Sequence, residues 1–170
     1  LEAREALLAL AGKAASTSRV EKSTALTGML FEMAAVAPQG RGKEMAEATI
    51  QSGKALAKMR DMIAAQGGDP KVRPEEIPVG SHVAEIKAEY TGYVTRVSNA
   101  ALVEIARAAG APTEKGAGFE IEGKVGHFVK KGDVILRIYA ERESMLETAH
   151  SLATQMEPIL IEGMLLHKVP

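Results

Sequence analysis

Two adjacent lysines, Lys130 and Lys131, lie between two apolar runs in the stretch GKVGHFVKKGDVILRIYAERE, Gly123 to Glu143. Lysines in such a setting can carry a covalent modification, bind a phosphate group, or simply solvate a turn of a scaffold. The pair that follows, Gly132 and Asp133, is typical of a tight turn, in which the glycine adopts a turn conformation and the aspartate hydrogen-bonds the local backbone. The stretch therefore predicts a turn between strands, with three roles open for its lysines.

The same stretch is similar to the biotinyl and lipoyl carrier modules, in which a Val-Gly-x-x-Val-x-x-Gly-Asp segment precedes a strand and a hairpin that displays the modified lysine. In those modules the lysine follows an Ala-Met pair after the strand, where this chain has Ala140, Glu141 and Arg142. Arginine cannot replace the lysine, because acylation needs a neutral amine and the guanidinium stays protonated. The resemblance implies a barrel-sandwich of short strands, and a stand-alone binding module of this kind is the alternative function.

Two further segments are candidates for binding phosphate. Gly40 and Gly42 in QGRGKE precede a predicted helix, where free backbone N–H groups and the helix dipole can hold an anion. Their spacing fits neither a Walker loop nor a dinucleotide-binding motif, so a loop between helices is favoured. The Lys-Ser-Thr of EKST, Glu21 to Thr24, lies inside a predicted helix without a glycine to bring backbone amides close, so a surface helical turn is favoured there.

The four histidines are far apart along the chain, at His82, His127, His150 and His167. None forms an i, i+4 pair, so their spacing does not predict ligands that converge on a metal ion. We interpret them as exposed or structural residues.

The composition narrows the classes of function. The 170 residues are 46% hydrophobic, which is enough for a folded core, and 21 basic and 22 acidic residues give a net charge of -1. Because its positive and negative charges nearly cancel, the chain has no long-range electrostatic field that would attract nucleic acid or an anionic membrane. The absence of cysteine excludes disulfides and thiol catalysis. No apolar run approaches the roughly 20 residues that cross a bilayer, so we expect a soluble, cytoplasmic protein.

The first part of the chain is predicted to be helical. LEAREALLALAG starts at Leu1 inside a helical pattern, which indicates a fragment of a longer protein. A second helix over Ser18–Ala37 begins with a capping-box pair, Ser18 and Glu21. Its apolar residues occupy more than one face, so we expect this helix to be largely buried.

A third helix is predicted from about Lys43 to Gln66, with apolar residues at alternating spacings of four and three. Ser52 and Gly53 lie in the middle of this stripe and suggest the close approach of another helix. The sequence GGDP, Gly67 to Pro70, is typical of a helix end.

From residue 70 onward the pattern changes. Prolines among charged residues predict an extended linker over 70–81. Beyond it, short or alternating apolar runs predict strands, and Ser98 is a candidate cap for a helix. The predicted strands are His82–Glu89, 91–97, Ala117–Ile121, Phe128–Val129, Val134–Ala140 and Glu157–Leu166, and a further helix is predicted over Glu141–Met156.

Helices first, followed by strands around two helices, predict an α+β fold. We divide the chain into a helical segment, 1–69, a linker, 70–81, and a C-terminal α+β domain with a barrel-sandwich-like arrangement, 82–170. The sequence shows no internal repeat.

Several phrases resemble the C-terminal part of the thymidine and pyrimidine-nucleoside phosphorylases. They are LEAREAL, SGKALAKMRDMIAAQGGDP, the run from GYVTRVSNAAL to KKGDVILRIYAE, and EPILIEGMLLHK. The closing phrases, together with RPEEIPVG, most resemble the archaeal AMP phosphorylase branch of this family. The resemblance covers nearly the whole chain. It implies that the helical segment belongs to a larger α/β phosphate-binding domain and that the second part is the C-terminal domain.

The resemblance implies an enzyme that cleaves the N-glycosidic bond of a nucleoside or nucleoside monophosphate with inorganic phosphate, giving a free base and a sugar phosphate. In the family the phosphate and base ligands precede the segment matched here, so no catalytic residue is implied. A glutamate of the Leu-Glu-x-x-Glu helix, matched by Glu5, helps to coordinate a monovalent cation in bacterial members, and no other cofactor is implied. We expect a homo-oligomer, because helices without their sheet expose apolar faces. A weaker third option is that the chain binds nucleotide by itself.

Overall fold

Four α-helices make up the first part of the chain. The computed structural model describes residues 1–13 and 17–163, and their contacts separate two compact units, Glu2–Ile77 and the residues from Pro78 onward. The first unit contains α1 Glu2–Leu10, α2 Thr17–Met33, α3 Gly42–Gln51, α4 Lys54–Ala65 and a 3₁₀ turn, Pro74–Glu76. The helical character predicted for this part of the chain is present, but two details differ.

The single helix predicted from Lys43 to Gln66 is wrong, because the chain breaks into α3 and α4 at Ser52 and Gly53. Gly53 has φ of +75°, a left-handed conformation that glycine adopts without steric cost. No atom lies within 4 Å of the position that a Cβ on Gly53 would occupy. Gly53 therefore ends one helix and begins another, and does not mark a close approach between helices.

The helix predicted over Ser18–Ala37 is α2, but it is much less buried than expected. It begins at Thr17, so the predicted cap Ser18 lies within its first turn, and the side chain of Ser18 is outside the described part of the structure. Of its large apolar side chains, Leu26 is 52% exposed and Met33 is 83% exposed. Both contribute to an apolar face that the rest of the first unit leaves uncovered.

The close helix approach in this unit lies instead between α2 and α3. Gly28 and Gly42 face each other there, and a Cβ on Gly28 would lie 2.3 Å from the backbone nitrogen of Lys43. The Glu32 carboxylate accepts a hydrogen bond of 2.8 Å from the backbone N–H of Gly42. Thr24, one turn before Gly28, is almost fully buried. The two helices therefore pack backbone against backbone, which only glycine permits at these positions.

The proline-containing segment after α4 is held against α1. Arg4 donates hydrogen bonds to the backbone oxygens of Pro74, at 3.1 Å, and Ile77, at 2.7 Å. Arg73 and Glu76 form an ion pair of 2.7 Å across the 3₁₀ turn. Residues 70–77 of the expected linker therefore belong structurally to the first unit.

The second unit contains two antiparallel sheets and two helices. In chain order they are β1 His82–Lys87, β2 Gly92–Val97, α5 Asn99–Ala108, β3 Gly118–Ile121, β4 Phe128–Val129, β5 Val134–Ala140, α6 Glu143–Met156 and β6 Ile159–Glu162. One sheet has the order β1-β5-β3 and the other β4-β2-β6, and both are open. The predicted α+β class is confirmed. Residues 164–166, the end of the strand predicted over Glu157–Leu166, lie outside the described residues.

The core of this unit forms where α5 and α6 cover β5. Leu136 and Ile138, on one face of β5, have no exposed surface, and neither has Ile105 of α5. Ala149 of α6 is also fully buried. Ser98 caps α5 as predicted, since its Oγ accepts a hydrogen bond of 3.3 Å from the backbone N–H of Ala101. Small residues on α6 and branched residues on β5 let helix and sheet pack closely.

No helix in the described ranges has the length and apolar character that crossing a bilayer requires.

We predict that Gly28→Ala destabilises the first unit by roughly 2 kcal/mol or more, because the new methyl group would force α2 and α3 apart. The sign is informative, since alanine normally stabilises a helix interior relative to glycine by about 1 kcal/mol. Urea unfolding followed by circular dichroism measures the effect. Gly163→Ala is the control, because its nearest neighbour, the Thr91 oxygen, lies 3.8 Å from the new Cβ. A more stable Gly28→Ala variant would contradict the packing described here.

Candidate functional site

The turn that carries Lys130 and Lys131 is fixed by hydrogen bonds from its backbone N–H groups to side-chain oxygens. The Asp133 carboxylate accepts a bond of 2.8 Å from the Lys130 N–H, and Thr91 Oγ1 accepts one of 3.0 Å from the Lys131 N–H. Gly132 has φ of +93°. The predicted roles of Gly132 and Asp133 in shaping the turn are confirmed. Both lysine side chains are exposed, and within the described residues neither forms an ion pair.

The position at which a carrier module would display its lysine is occupied by an ion pair. Arg142, the residue before α6, donates a hydrogen bond of 2.7 Å from Nε to Oε1 of Glu114. Glu114 is mostly buried, with 17% of its side chain exposed. The neighbouring Glu141 accepts a bond of 2.7 Å from the backbone N–H of Gly116. These contacts tie the loop between α5 and β3 to the end of β5, so this corner has a structural role.

The N-terminus of α3, after the glycine loop, already binds a carboxylate of the same unit. The N–H of Gly42 at the helix N-terminus, where a phosphate would bind, is hydrogen-bonded to the Glu32 carboxylate at 2.8 Å. Arg41 is paired with Glu44 at 2.7 Å. A phosphate would have to displace Glu32 and would meet its charge. The predicted loop between helices is present and contains Gly40, while Gly42 is the first residue of α3.

The Lys-Ser-Thr segment lies inside α2, as predicted. The Oγ1 of Thr24 donates to the backbone oxygen of Glu21 at 3.1 Å, and the Thr24 side chain is buried. The Thr24 hydroxyl is therefore hydrogen-bonded to the helix backbone and is not available to an anion in solution.

Glu5, the predicted cation ligand, lies on α1 and forms a salt bridge with Arg19. Nowhere in 1–13 and 17–163 do three or more His, Asp or Glu side chains come together in a way that could hold a metal ion. His82 lies on β1, His127 in the loop before β4 and His150 on α6, and His167 is outside the described residues. The role of Glu5 stays a prediction, and the arginine beside it already neutralises its charge.

A charged cluster that no sequence motif indicated lies on the outer face of the β1-β5-β3 sheet. Arg137 of β5 lies 3.2 Å from Glu85 of β1, 3.6 Å from Glu120 of β3 and 3.4 Å from Glu122. The hydrogen bond to Glu85 raises the pKa of Arg137. The alternation of apolar and polar residues in Val134–Ala140 indicates that Arg137 lies on the exposed face of the strand. Only the pairing of the strands shows which carboxylates lie next to it.

Tyr139 belongs to the same face and donates a hydrogen bond of 2.7 Å to Oε2 of Glu120. Burial raises the pKa of Tyr139, and the bond to Glu120 raises it further. Together with Arg137, this residue links all three strands of the sheet. The cluster is a set of interstrand ion pairs and hydrogen bonds and contains no nucleophile paired with a base.

Three places among the described residues carry the charged or polar groups that could bind an anion: the lysine turn, the loop before α3 and the Arg137 cluster. Phosphorolysis of an N-glycosidic bond needs several donors that converge on a phosphate group. The lysine turn and the loop before α3 provide no such convergence, and neither does the Arg137 cluster, whose single cation faces three carboxylates.

Comparison with known proteins identifies proteins that are similar in sequence to this chain. Residues 93–159, which run from β2 to the start of β6, match the pyrimidine nucleoside phosphorylase C-terminal domain. The chain is 53% identical over all 170 residues to an AMP phosphorylase of Methanosarcina barkeri. It is 52% identical over 169 residues to an AMP phosphorylase of Thermococcus kodakarensis and 50% identical over 169 residues to one of Pyrococcus horikoshii.

Each of these alignments covers 99 or 100% of this chain but only 34% of the relative. The chain therefore spans about a third of the length of the curated relatives it matches. The resemblance predicted from the sequence motifs is confirmed, including its archaeal AMP phosphorylase branch. The carrier-module alternative is not favoured.

We predict that replacing Tyr139 by phenylalanine flattens the alkaline decline in stability. Above the ordinary tyrosine pKa of about 10, the unfolded chain loses the Tyr139 proton while the folded protein retains it. The unfolded state then binds fewer protons than the folded state, so the free energy of unfolding falls as pH rises. Urea unfolding between about pH 9 and pH 11 should show a steeper fall for the unsubstituted protein than for Tyr139→Phe. Both proteins measured at pH 7 give the cost of the lost hydrogen bond separately, and equal slopes would contradict the assignment.

Proposed function

We propose, from the match of residues 93–159 to the pyrimidine nucleoside phosphorylase C-terminal domain, that this chain is the C-terminal part of a nucleotide phosphorylase. The longer protein would cleave the N-glycosidic bond of a nucleoside monophosphate with inorganic phosphate and give a free base and a sugar phosphate. The observation that carries the proposal is the identity of about half of all residues, over the entire chain, to three AMP phosphorylases. These relatives favour AMP over thymidine as the substrate, with adenine and ribose 1,5-bisphosphate as products.

The charge pairing within the described residues supports a division of labour in this enzyme. Glu32 satisfies the helix N-terminus at Gly42, and Arg142 and Arg137 are both engaged by carboxylates. The phosphate and base ligands would therefore come from the part of the protein outside this chain. In this proposal residues 1–69 supply helices to a larger α/β domain, and 82–170 form a domain that supports it.

Two further assignments depend on the same proposal. Glu5 would help to hold a monovalent cation in the longer protein, where other ligands would have to displace Arg19 from it. A nucleotide substrate is a metabolite of the cell interior, which supports a cytoplasmic location.

The apolar face of α2 supports the proposal that the protein forms a homo-oligomer. We define the α2 face by four large side chains that are each more than half exposed: Leu26, Met29, Leu30 and Met33. These four side chains lie at helical spacing, and Val36, just beyond the end of α2, adds a further apolar side chain that is 58% exposed. Such a surface is unfavourable in water and promotes association. In the isolated chain a second copy is available to cover it.

We predict that the longer protein releases adenine from AMP only when phosphate is present, and that the 170-residue chain alone does not. The physical reason is that the described residues bring together no donors for phosphate. Chromatography of the free base measures both reactions, with thymidine in place of AMP as the control for substrate class. A longer protein that releases base from neither substrate would contradict the proposed function, and turnover by the short chain alone would contradict the division of labour.

We also predict that the chain self-associates through the α2 face. Light scattering coupled to size exclusion should show more than one chain per particle, and Leu30→Glu should return it to a single chain, because a buried unpaired carboxylate is costly. Val103→Glu is the matched control, since Val103 is exposed to a similar extent, 47%, but lies on α5. A monodisperse single chain at high concentration would contradict self-association. Loss of association in both the Leu30→Glu and the Val103→Glu variant would contradict the role of the α2 face.

A further inference from the structure

A cavity of about 260 Å³ opens in the second unit, where β1, β5, α6 and β6 meet. Its floor is apolar and is made by Leu136 of β5, Ala153 of α6 and Ile159 of β6, all of which are 7% exposed or less. Small-molecule pockets in proteins typically measure about 300–1,000 Å³. The cavity is therefore suited to a compact ligand with an apolar body.

The rim of this cavity is polar and predominantly acidic. Three carboxylates line it, from Glu85, Glu89 and Glu157, against one ammonium group, that of Lys87. The His150 ring, the Thr154 hydroxyl and Tyr90 complete the polar lining. Lys87 lies 3.8 Å from Glu85, so the one cation of the rim is already engaged. The potential at the mouth is therefore negative.

Two of the rim carboxylates have no cationic partner in the part of the chain that the structure describes. Within the described residues, no nitrogen of a Lys, Arg or His side chain lies within 4.0 Å of the Glu89 or Glu157 carboxylate. Glu157 is the residue that ends α6, and it has φ of +43°. The last turn of α6 contains no basic residue, so the negative end of the helix dipole is not compensated by its own side chains. The carboxylates and the helix terminus both favour a positive charge at this end of the cavity.

This lining also excludes other ligand classes. A phosphate group would meet the carboxylates and the carbonyl end of α6, both of which repel it. A metal ion needs several hard ligands that converge, and no such group exists among the residues that the structure describes. The remaining floor is apolar and would not be filled by a small inorganic ion.

We propose that this cavity binds a small organic ammonium compound. The ammonium group lies at the rim between the Glu89 and Glu157 carboxylates and beside the C-terminal carbonyl groups of α6. The hydrocarbon part lies on the floor made by Leu136, Ala153 and Ile159. The proposal does not depend on the phosphorylase assignment.

Titration of the isotope-labelled 170-residue chain with butylammonium chloride tests the proposal. Amide signals of Leu136, Ala153 and Ile159 should shift in a saturable manner, and added salt should weaken binding because the contact is between charges. Butyrate has the same hydrocarbon chain with the opposite charge and should cause no saturable shift. Ammonium chloride has the charge without the chain and should bind at least about tenfold more weakly, because it gains nothing from the apolar floor. Equal responses to butylammonium and butyrate, or none to butylammonium, would overturn the proposal.

The double variant Glu89→Gln, Glu157→Gln should reduce butylammonium affinity by about tenfold or more, the usual effect of losing a charge-assisted hydrogen bond. Glu143→Gln, at the opposite end of α6, is the matched control and should leave the affinity unchanged. Well-dispersed amide spectra establish that each variant is folded. If the double variant does not fold, the comparison of butylammonium with butyrate decides the question by itself, and undiminished affinity in a folded double variant would overturn the site.

Discussion

Leu136 and Ile138 lie on one face of β5 and are completely buried, and the rest of the second unit is arranged around that burial. β5 is the central strand of its sheet, between β1 and β3, so its register fixes both neighbours. Because side chains alternate along a strand, burial of Leu136 and Ile138 forces Arg137 and Tyr139 to the outer face. There they meet carboxylates from both neighbours. The burial of two apolar side chains thus determines where the charged network lies. A shift of the strand register by one residue would bury Arg137.

Internal pairing of charge explains why conspicuous sequence features have structural roles. Arg142 binds Glu114, the Gly42 amide binds Glu32, and the turn at Gly132 is closed by Asp133. A group already satisfied inside the fold has little free energy to gain from an external ligand, since binding must first break the existing contact. Glu89 and Glu157, which form no ion pair in the described part of the structure, both line the cavity between β5 and α6. A ligand is expected where charge is unpaired and apolar surface lies beside it.

Local signals predicted most elements of the second unit, because its strands are short alternating runs bounded by glycine or charged residues. Ser98, Gly132 and Asp133 had their predicted roles for the same reason: each acts on backbone within three residues. The break at Gly53 was missed because an apolar stripe can continue across two helices. The pairing of Arg137 with Glu85, 52 positions apart, required the register of β1 against β5, which no local pattern contains.

The apolar pattern of α2 predicted a buried helix, whereas the family resemblance predicted that such helices expose apolar faces without their sheet. A helix with apolar residues on more than one face is normally buried, but the partner that buries it need not lie in the same stretch of sequence. Here α3 covers only the side of α2 that carries Thr24 and Gly28, through glycine contacts that leave no room for side chains. The curated relatives are about three times as long as this chain. In the proposed function, protein outside this chain or a second copy of it would cover the exposed apolar face of α2. In the proposed function the ligands for phosphate would likewise come from protein outside this chain, since the lysine turn, the loop before α3 and the Arg137 cluster bring no group of donors together.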